Sequence, residues 1–326
     1  MESNFSNNAG LVNFGNTCFM NASIQLLMCA RIIGSFLLFS ENYFSDSDIT
    51  KYIQTWKDYM NPDTKILGPK ILYHRYMILN KNYVGFTQED SHEFLTFTLD
   101  DIIEQIKISL NNSNLNQSQK DEILNEFTKI FKIKFNQTVY YKNKNETSKT
   151  EIFENILTLP LALGRDWSKA PIDIPLALGR DWSKAPIDIP LASTSSNLTL
   201  EDCVKLYCNQ EEDEFKLSYE FIDMPKYLFV GLKRFKVTQV FIQKITTDVE
   251  IPFETCCFDD KTTYVLKGFI IHAGGVTGGH YYSYGSRKIN SQIKWFCYND
   301  TNVSEVSMDQ VIAESKKAYM FLYSRR

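Results

Sequence analysis

Cys18 is the strongest candidate for a catalytic nucleophile, because it follows a glycine- and asparagine-rich run within residues 10–21 (GLVNFGNTCFMN). Apolar residues at helical spacing from Met20 to Met28 predict a helix that begins at Cys18. A helix N-terminus carries unpaired N–H groups and partial positive charge, which favour a thiolate. We therefore predict a nucleophile with a lowered thiol pKa, with Asn13 and backbone N–H groups as oxyanion donors. The alternative is a buried, apolar free cysteine.

Among the four histidines, His280 is the best candidate for the general base. It follows Gly278 and Gly279, where the backbone is open to close approach by a substrate chain, and it enters an aromatic segment. His272 ends an apolar segment just before a turn and remains an alternative base.

A base also needs a partner that orients its second ring nitrogen. Residues 295–300 (WFCYND) predict a short strand that ends in Asn299 and Asp300. A hairpin between this strand and the one containing His280 would bring either side chain beside the imidazole. An ordinary turn is the alternative interpretation of the Asn-Asp pair.

The elements that must position these residues change character along the chain. Thr87 and Asp90 fit a capping box for a helix whose apolar face runs from Phe94 to Ile106, and residues 107–121 are polar and predict a surface loop. The second half is rich in β-branched and aromatic residues, which predicts strands. The sequence therefore predicts an α+β fold with a cleft at the seam between the halves.

Composition excludes several classes of function. The 326 residues carry a formal net charge of −4, which argues against nucleic-acid binding driven by bulk charge. The most apolar stretch, residues 26–39, is interrupted by Arg31 and is too short to span a bilayer. The chain has seven cysteines, an odd number, and its sequence shows no export signal. These features indicate reduced thiols in an intracellular protein, cytoplasmic or nuclear. Cys208, Cys256 and Cys257 form no C-x-x-C pair, so we expect no metal and no cofactor.

One segment is repeated without change. Residues 161–175 (LALGRDWSKAPIDIP) recur at 176–190. Two copies are too few for a solenoid, and the prolines forbid long regular elements. We interpret residues 161–190 as a duplicated loop insertion.

Together these motifs resemble the catalytic domain of ubiquitin-specific proteases over nearly the whole chain. The motifs that carry the resemblance stand in the family's order at 10–21, 88–95 (QEDSHEFL), 232–235 (LKRF), 278–281 (GGHY) through 295–300, and 318–323 (AYMFLY). The resemblance implies a papain-like fold with a helical thumb at about 10–135, and a β-rich palm and shortened fingers at 136–326. Residues 1–9 would be a disordered lead-in.

The resemblance also implies roles for individual residues. Cys18 would be the nucleophile, His280 the base, Asn299 the third triad member and Asn13 the oxyanion donor, with Asp300 close by. Asp90 matches the acid that contacts ubiquitin's basic tail, beside its capping role. Further substrate contacts are expected at Gln88, Gly278, Gly279 and Tyr281.

The chain departs from the family at the fingers. Members often bind zinc there through two C-x-x-C knuckles, whereas this chain has Lys142 and Asn145 at the first, and the second is missing where Glu211 runs towards Pro225. We therefore expect shortened, zinc-free fingers that contain the repeat.

The expected function is thiol-dependent hydrolysis of isopeptide or peptide bonds after ubiquitin's C-terminal glycine. The expected partners are ubiquitin and ubiquitinated proteins, with no nucleic acid and no membrane, and the chain is expected to be monomeric. Two alternatives remain: a catalytically inactive ubiquitin-binding module, and a protease for another ubiquitin-like modifier.

Overall fold

The structure is a computed structural model that describes residues 8–44, 48–81, 83, 85, 87–160, 198–211, 214–237, 242–276, 278–289 and 292–326. The repeat at 161–190 and residues 1–7 of the expected lead-in lie outside the described residues. The described helices are α1 (Cys18–Cys29), α2 (Arg31–Phe39), α3 (Ile49–Met60), α4 (Lys70–Leu79), α5 (Ser91–Asn111), α6 (Gln117–Thr128), α7 (Leu200–Cys208) and α8 (Met308–Ser315). The described strands are β1 (Gly10–Leu11), β2 (Ile66–Leu67), β3 (Ile133–Tyr141), β4 (Glu146–Glu154), β5 (Ile156–Pro160), β6 (Leu198–Thr199), β7 (Asn209–Glu211), β8 (Phe215–Asp223), β9 (Tyr227–Lys233), β10 (Phe235–Val237), β11 (Ile242–Lys244), β12 (Val249–Glu250), β13 (Glu254–Thr255), β14 (Tyr264–Gly274), β15 (Gly279–Ile289), β16 (Gln292–Asn299), β17 (Asn302–Val306) and β18 (Met320–Arg325).

The main sheet of the described chain has eight strands in the order β17-β16-β15-β14-β18-β9-β5, with β13 paired to β14. Side chains alternate between its faces, as a pleated strand requires. In β14, Ile270 belongs to the apolar cluster that contains α1, while Phe269 and Ile271 belong to the cluster that contains α7 and α8 residues. Because both faces are covered by helices, the strands that we predicted from continuous apolar runs lie in the sheet interior.

Helix α1 is central to the fold. All twelve of its residues are buried, because it packs against β14 and β15 on one side and against α5 on another. No single described helix is long and apolar enough to span a membrane. The pair α1 and α2 passes such a test on length and composition together, but the two helices are bent by 77° relative to each other.

Two expectations about the helical half are wrong in detail. Helix α5 does not begin in a Thr87–Asp90 capping box: Asp90 is itself the N-cap, and its carboxylate accepts from the backbone N–H groups of His92 and Glu93. Residues 107–121 are not one loop, because α5 continues to Asn111 and α6 begins at Gln117. The polar stretch hides a complete capping box between Asn116 and Gln119.

A second described sheet, in the order β4-β3-β8-β7, occupies the region where the fingers were expected. At its tip Lys142 Nζ lies 3.0 Å from a Glu211 carboxylate oxygen. Glu211 does not run directly to Pro225, since the nine-residue strand β8 lies between them. The sequence analysis missed β8 because its alternating polar and apolar residues leave one face of the strand exposed.

Candidate active site

The loop before Cys18 is folded around the side chain of Asn13. Its Oδ1 accepts hydrogen bonds from Gly15 N at 3.0 Å, from Thr17 N at 3.1 Å and from Thr17 Oγ1 at 3.1 Å. Gly15 and Asn16 both have positive φ, of 98° and 54°. Glycine and asparagine tolerate this left-handed conformation best, so the Gly-Asn run is explained by the turn that delivers Cys18 to the first position of α1.

The state of the Cys18 thiol differs from the expectation. Burial raises the pKa of the Cys18 thiol above its ordinary value, and the charge of Asp300 raises it further. Hydrogen bonds from the backbone of Tyr281, Phe19 and Cys18 itself act in the opposite direction but do not outweigh the burial. The predicted lowering of the thiol pKa is therefore wrong, because desolvation of the thiolate exceeds the stabilisation that these backbone hydrogen bonds provide.

His280 lies next to Asn299, as the predicted hairpin requires. Strands β15 and β16 pair antiparallel, with Ser283 opposite Tyr298, and this brings His280 Nε2 to 2.6 Å from Asn299 Oδ1. The amide oxygen only accepts, so the ring carries its proton on Nε2 and leaves Nδ1 free to accept one. His280 and Cys18 are not hydrogen-bonded to each other in the part of the chain that is described. Such contacts are commonly long before substrate binds.

Asp300, the second candidate for orienting His280, is hydrogen-bonded to other residues. One carboxylate oxygen accepts from Asn13 Nδ2 at 2.9 Å and the other from Asn21 Nδ2 at 2.8 Å. Its backbone oxygen accepts from Leu11 N at 2.8 Å. Asp300 therefore ties the cysteine loop to the end of β16, and it is Asn299 that contacts His280.

Two features of this network were not predicted. Sequence reasoning missed Asn21, although it lies three residues after Cys18 on the same side of α1. The amide nitrogen of Asn13, the expected oxyanion donor, already donates to Asp300 in the substrate-free chain.

The expected acid for a basic substrate tail, Asp90, is held by its surroundings. Its Oδ1 accepts from His92 N at 2.7 Å, and its Oδ2 accepts from Tyr319 Oη at 2.5 Å. The cap fixes the carboxylate at the start of α5, and the phenol links it to the main sheet.

The remaining expected substrate contacts lie around the strand before His280. Gln88 bonds to the backbone of Gly279 through both atoms of its amide group. Gly278 is exposed, and a Cβ there would meet nothing within 4 Å, in agreement with an open approach. Gly279 differs, since its Cβ would lie 2.1 Å from His272 Nε2. The expected opening at Gly279 is therefore filled, while the buried Tyr281 approaches Cys18 through its backbone.

His272, the alternative base, is a packing residue in this arrangement. Its ring centroid lies 4.5 Å from that of Tyr281 and 5.3 Å from that of Phe235. Burial, with the nearby Lys244 charge, lowers the pKa of His272 to about 4, so the ring is neutral at ordinary pH. Among the described residues, no carboxamide bonds to His272 as Asn299 bonds to His280.

Within the described residues no group of three or more His, Cys, Asp or Glu side chains is arranged to hold a metal ion. All seven cysteines are free, and Cys29 and Cys203 are buried in the core.

The fold is that of papain-like cysteine peptidases. The chain belongs to the family described as ubiquitin carboxyl-terminal hydrolase, whose sequence profile matches residues 9–323. The family resemblance and the papain-like α+β fold are therefore confirmed. The division at 135/136 into thumb and palm stays a prediction.

Similar proteins agree with this family assignment. The chain is 26% identical to ubiquitin carboxyl-terminal hydrolase Usp2 of Drosophila melanogaster over 352 residues, covering 97% of this chain and 34% of that protein. It is 25% identical to ubiquitin carboxyl-terminal hydrolase 2 of Bos taurus over 356 residues, covering 97% of this chain and 54% of that protein. The chain thus spans about a third to a half of the length of these relatives.

Among solved structures, the SAGA Ubp8/Sgf11/Sus1/Sgf73 DUB module bound to ubiquitin aldehyde matches with a TM-score of 0.69 and 19% identity. The match covers 100% of this chain and 71% of that one. At this level of identity the likeness establishes the fold alone.

Proposed function

We propose that the chain is a deubiquitinase that hydrolyses the isopeptide or peptide bond after the C-terminal glycine of ubiquitin. The observation that carries the proposal is the meeting of three elements at one point. Cys18 begins α1 with backbone N–H groups directed at its sulfur, and His280 on β15 is bonded to Asn299 on β16. Family membership and relatives named as ubiquitin carboxyl-terminal hydrolases support ubiquitin as the substrate.

In the proposed reaction His280 Nδ1 takes the proton of the Cys18 thiol as the sulfur attacks the glycine carbonyl carbon. The backbone N–H groups at the start of α1, with Asn13 after it leaves Asp300, stabilise the oxyanion. The C–N bond breaks when the imidazolium gives its proton to the departing lysine or N-terminal amine. Water, deprotonated by His280, then attacks the thioester, releasing ubiquitin's carboxylate and restoring the thiol.

The raised thiol pKa supports proton transfer during attack, because the resting sulfur is neutral. Asn299 holds the imidazole so that Nδ1 is the basic nitrogen. Asp90, Gln88, Gly278, Gly279 and Tyr281 line the approach, and we assign the contact with the basic residues of ubiquitin's tail to Asp90. Ubiquitin and ubiquitinated proteins are the proposed partners. We place the protein, as a monomer, inside the cell, where seven free thiols remain reduced.

The test uses ubiquitin that carries a thiol-reactive electrophile in place of its last glycine carboxylate. The wild-type chain should form a one-to-one adduct at Cys18, located by mass spectrometry, and should hydrolyse a fluorogenic ubiquitin amide. Cys18→Ala should form no adduct and lose several powers of ten in turnover. Cys256→Ala, which removes an exposed thiol, is the matched control and should behave as wild type.

Other outcomes would replace the proposal. Binding of ubiquitin without an adduct and without turnover would identify an inactive ubiquitin-binding module. A higher kcat/KM on an amide of another ubiquitin-like modifier would reassign the substrate.

A further inference from the structure

Within the described residues, the strand segment that carries the proposed base has no neighbouring strand on one side. Gly279 pairs with Gly274 of β14, but the pairing of β15 with β16 ends at Ser283 and Tyr298. His280 therefore lies beyond the last residue pair that holds β15 against β16. A strand end that is paired on one side only, here with β14, frays more readily than one paired on both sides, and fraying would move the imidazole.

Gln88 supplies the missing partner. Its Oε1 accepts from Gly279 N at 2.9 Å, and its Nε2 donates to Gly279 O at 2.5 Å. These are the two bonds that a residue of an adjacent strand would make. A carboxamide can both donate and accept in this way, whereas a carboxylate can only accept.

Gln88 is itself anchored. It stands two residues before Asp90, which caps α5 and accepts a bond from Tyr319, the residue directly before β18 of the main sheet. The amide is therefore attached to a fixed helix start on one side of the cleft and reaches the strand on the other.

Gly279 is also fixed from its opposite side. The His272 ring occupies the space of a Cβ at Gly279, at 2.1 Å from the ideal position, so the glycine sits directly against the ring. Gly274, its partner in β14, has a φ of 113°. His272 and Gln88 therefore restrain Gly279 from two sides, and with it the backbone of His280, the next residue.

We propose that Gln88 is a positioning residue that fixes His280 for proton transfer with Cys18, through the backbone of Gly279. The inference rests on the proposed function for its reaction, and it assigns to Gln88 a role other than substrate contact. Geometry of this kind matters because a displacement of about 1 Å in a reacting group costs about a hundredfold in rate.

The test compares Gln88→Ala, Gln88→Glu and Gln117→Ala. Gln117 is an exposed glutamine on α6 that bonds to Asp121, and it serves as the matched control. The first readout is the rate at which iodoacetamide alkylates Cys18 as a function of pH, followed by mass spectrometry without any ubiquitin. The second readout is kcat and KM on a ubiquitin amide. His280→Ala shows how much both readouts change when the proposed base is removed completely.

We expect Gln88→Ala to lower kcat by about tenfold or more, with KM changed less than about threefold, and to shift the alkylation profile towards that of His280→Ala. Gln88→Glu keeps the acceptor and loses the donor at neutral pH, so its kcat should lie between those of wild type and Gln88→Ala. Gln117→Ala should match wild type in both readouts. Melting curves establish that the variants are folded at the assay temperature. If Gln88→Ala is unfolded at that temperature, the comparison is made between wild type and Gln88→Glu.

The proposal is overturned if Gln88→Ala raises KM while kcat and the alkylation profile stay at wild-type values, since Gln88 would then be a substrate contact. It is also overturned if both Gln88 variants behave as wild type. A wild-type chain that fails to cleave ubiquitin, but whose Cys18 alkylation depends on Gln88 and His280, would reject the proposed substrate and keep the positioning role.

Discussion

Replacing Asn299 with alanine removes the acceptor that faces His280 Nε2 at 2.6 Å. Without it the imidazole can exchange its proton between nitrogens and rotate about its side-chain bonds, so the fraction of molecules with a basic Nδ1 facing the thiol falls. One net hydrogen bond contributes about 1 kcal/mol, or roughly five- to tenfold in population. A positioned acid–base group contributes about a hundredfold or more.

We therefore expect Asn299→Ala to lower kcat/KM by about ten- to a thousandfold. Since Asn299 is exposed and water can replace part of the lost bond, the lower part of that range is favoured. Asn299→Asp should keep much of the activity, because a carboxylate accepts from the same N–H.

The assay is hydrolysis of a ubiquitin amide, with folding checked by circular dichroism. Asp300→Ala is the neighbouring comparison, because Asp300 bonds to Asn13 and Asn21 rather than to His280. Its loss should change the reactivity of Cys18 without altering the dependence of activity on His280. A nearly silent Asn299→Ala beside a crippling Asp300→Ala would show that the orienter is misassigned by one residue.

Three further predictions follow from the same structure. The negative charge of Asp300 raises the pKa of the Cys18 thiol, in addition to the larger effect of burial. Asp300→Asn removes this charge, so the pH midpoint of Cys18 alkylation should move to lower pH; an unchanged or higher midpoint would contradict this. The purified, untagged chain should contain no stoichiometric zinc by elemental analysis. The two C-x-x-C pairs that would bind zinc in the fingers are missing from the sequence, and Lys142 forms an ion pair with Glu211 in that region. Deletion of residues 176–190 should leave the melting temperature and ubiquitin-amide hydrolysis nearly unchanged, because an identical block cannot fit one core at two places; a large drop in either would contradict this.

Much of the fold was accessible from local patterns. The helix at Cys18 and the strands at β9, β14, β15 and β18 were predicted from periodicity and β-branched or aromatic content, and the structure confirms them. Helix α6 and strand β8 were missed because their signals lie in polar residues. A capping box inside a Gln- and Asn-rich stretch, and a half-exposed strand, are decided by tertiary context rather than composition.

The site was predictable as a set of residues but not as a set of contacts. Residue types and motif order brought together Cys18, His280 and Asn299. The direction of the Cys18 pKa shift could not be predicted from the sequence, because it depends on how deeply the main sheet and α5 together bury the start of α1. The filled space at Gly279 depends on His272, a residue from the neighbouring strand, and no local pattern reports that pairing.

These contacts have a consequence for how the site can be studied. The side chains of Asn13 and Asp90, which we assign to the oxyanion and to the substrate tail, and that of Gln88, which we assign to positioning His280, are all hydrogen-bonded within the protein. A bond to a charged group such as Asp300 or Asp90 contributes about 1.5–3 kcal/mol, and a neutral one about 1 kcal/mol. The tail of the substrate must therefore replace some of these bonds or leave them in place.

Substitution of any of these three side chains consequently alters the resting geometry, and for Asn13 and Asp90 it also removes a proposed contact with the substrate. A change in KM alone cannot separate the two effects, because both alter the free energy of the free site relative to the complex. Reactivity of Cys18 towards a small alkylating reagent depends on the geometry and electrostatics of the resting site and not on contacts with ubiquitin. Paired with kcat and KM, it assigns each polar residue either to the substrate or to the frame that holds Cys18 and His280.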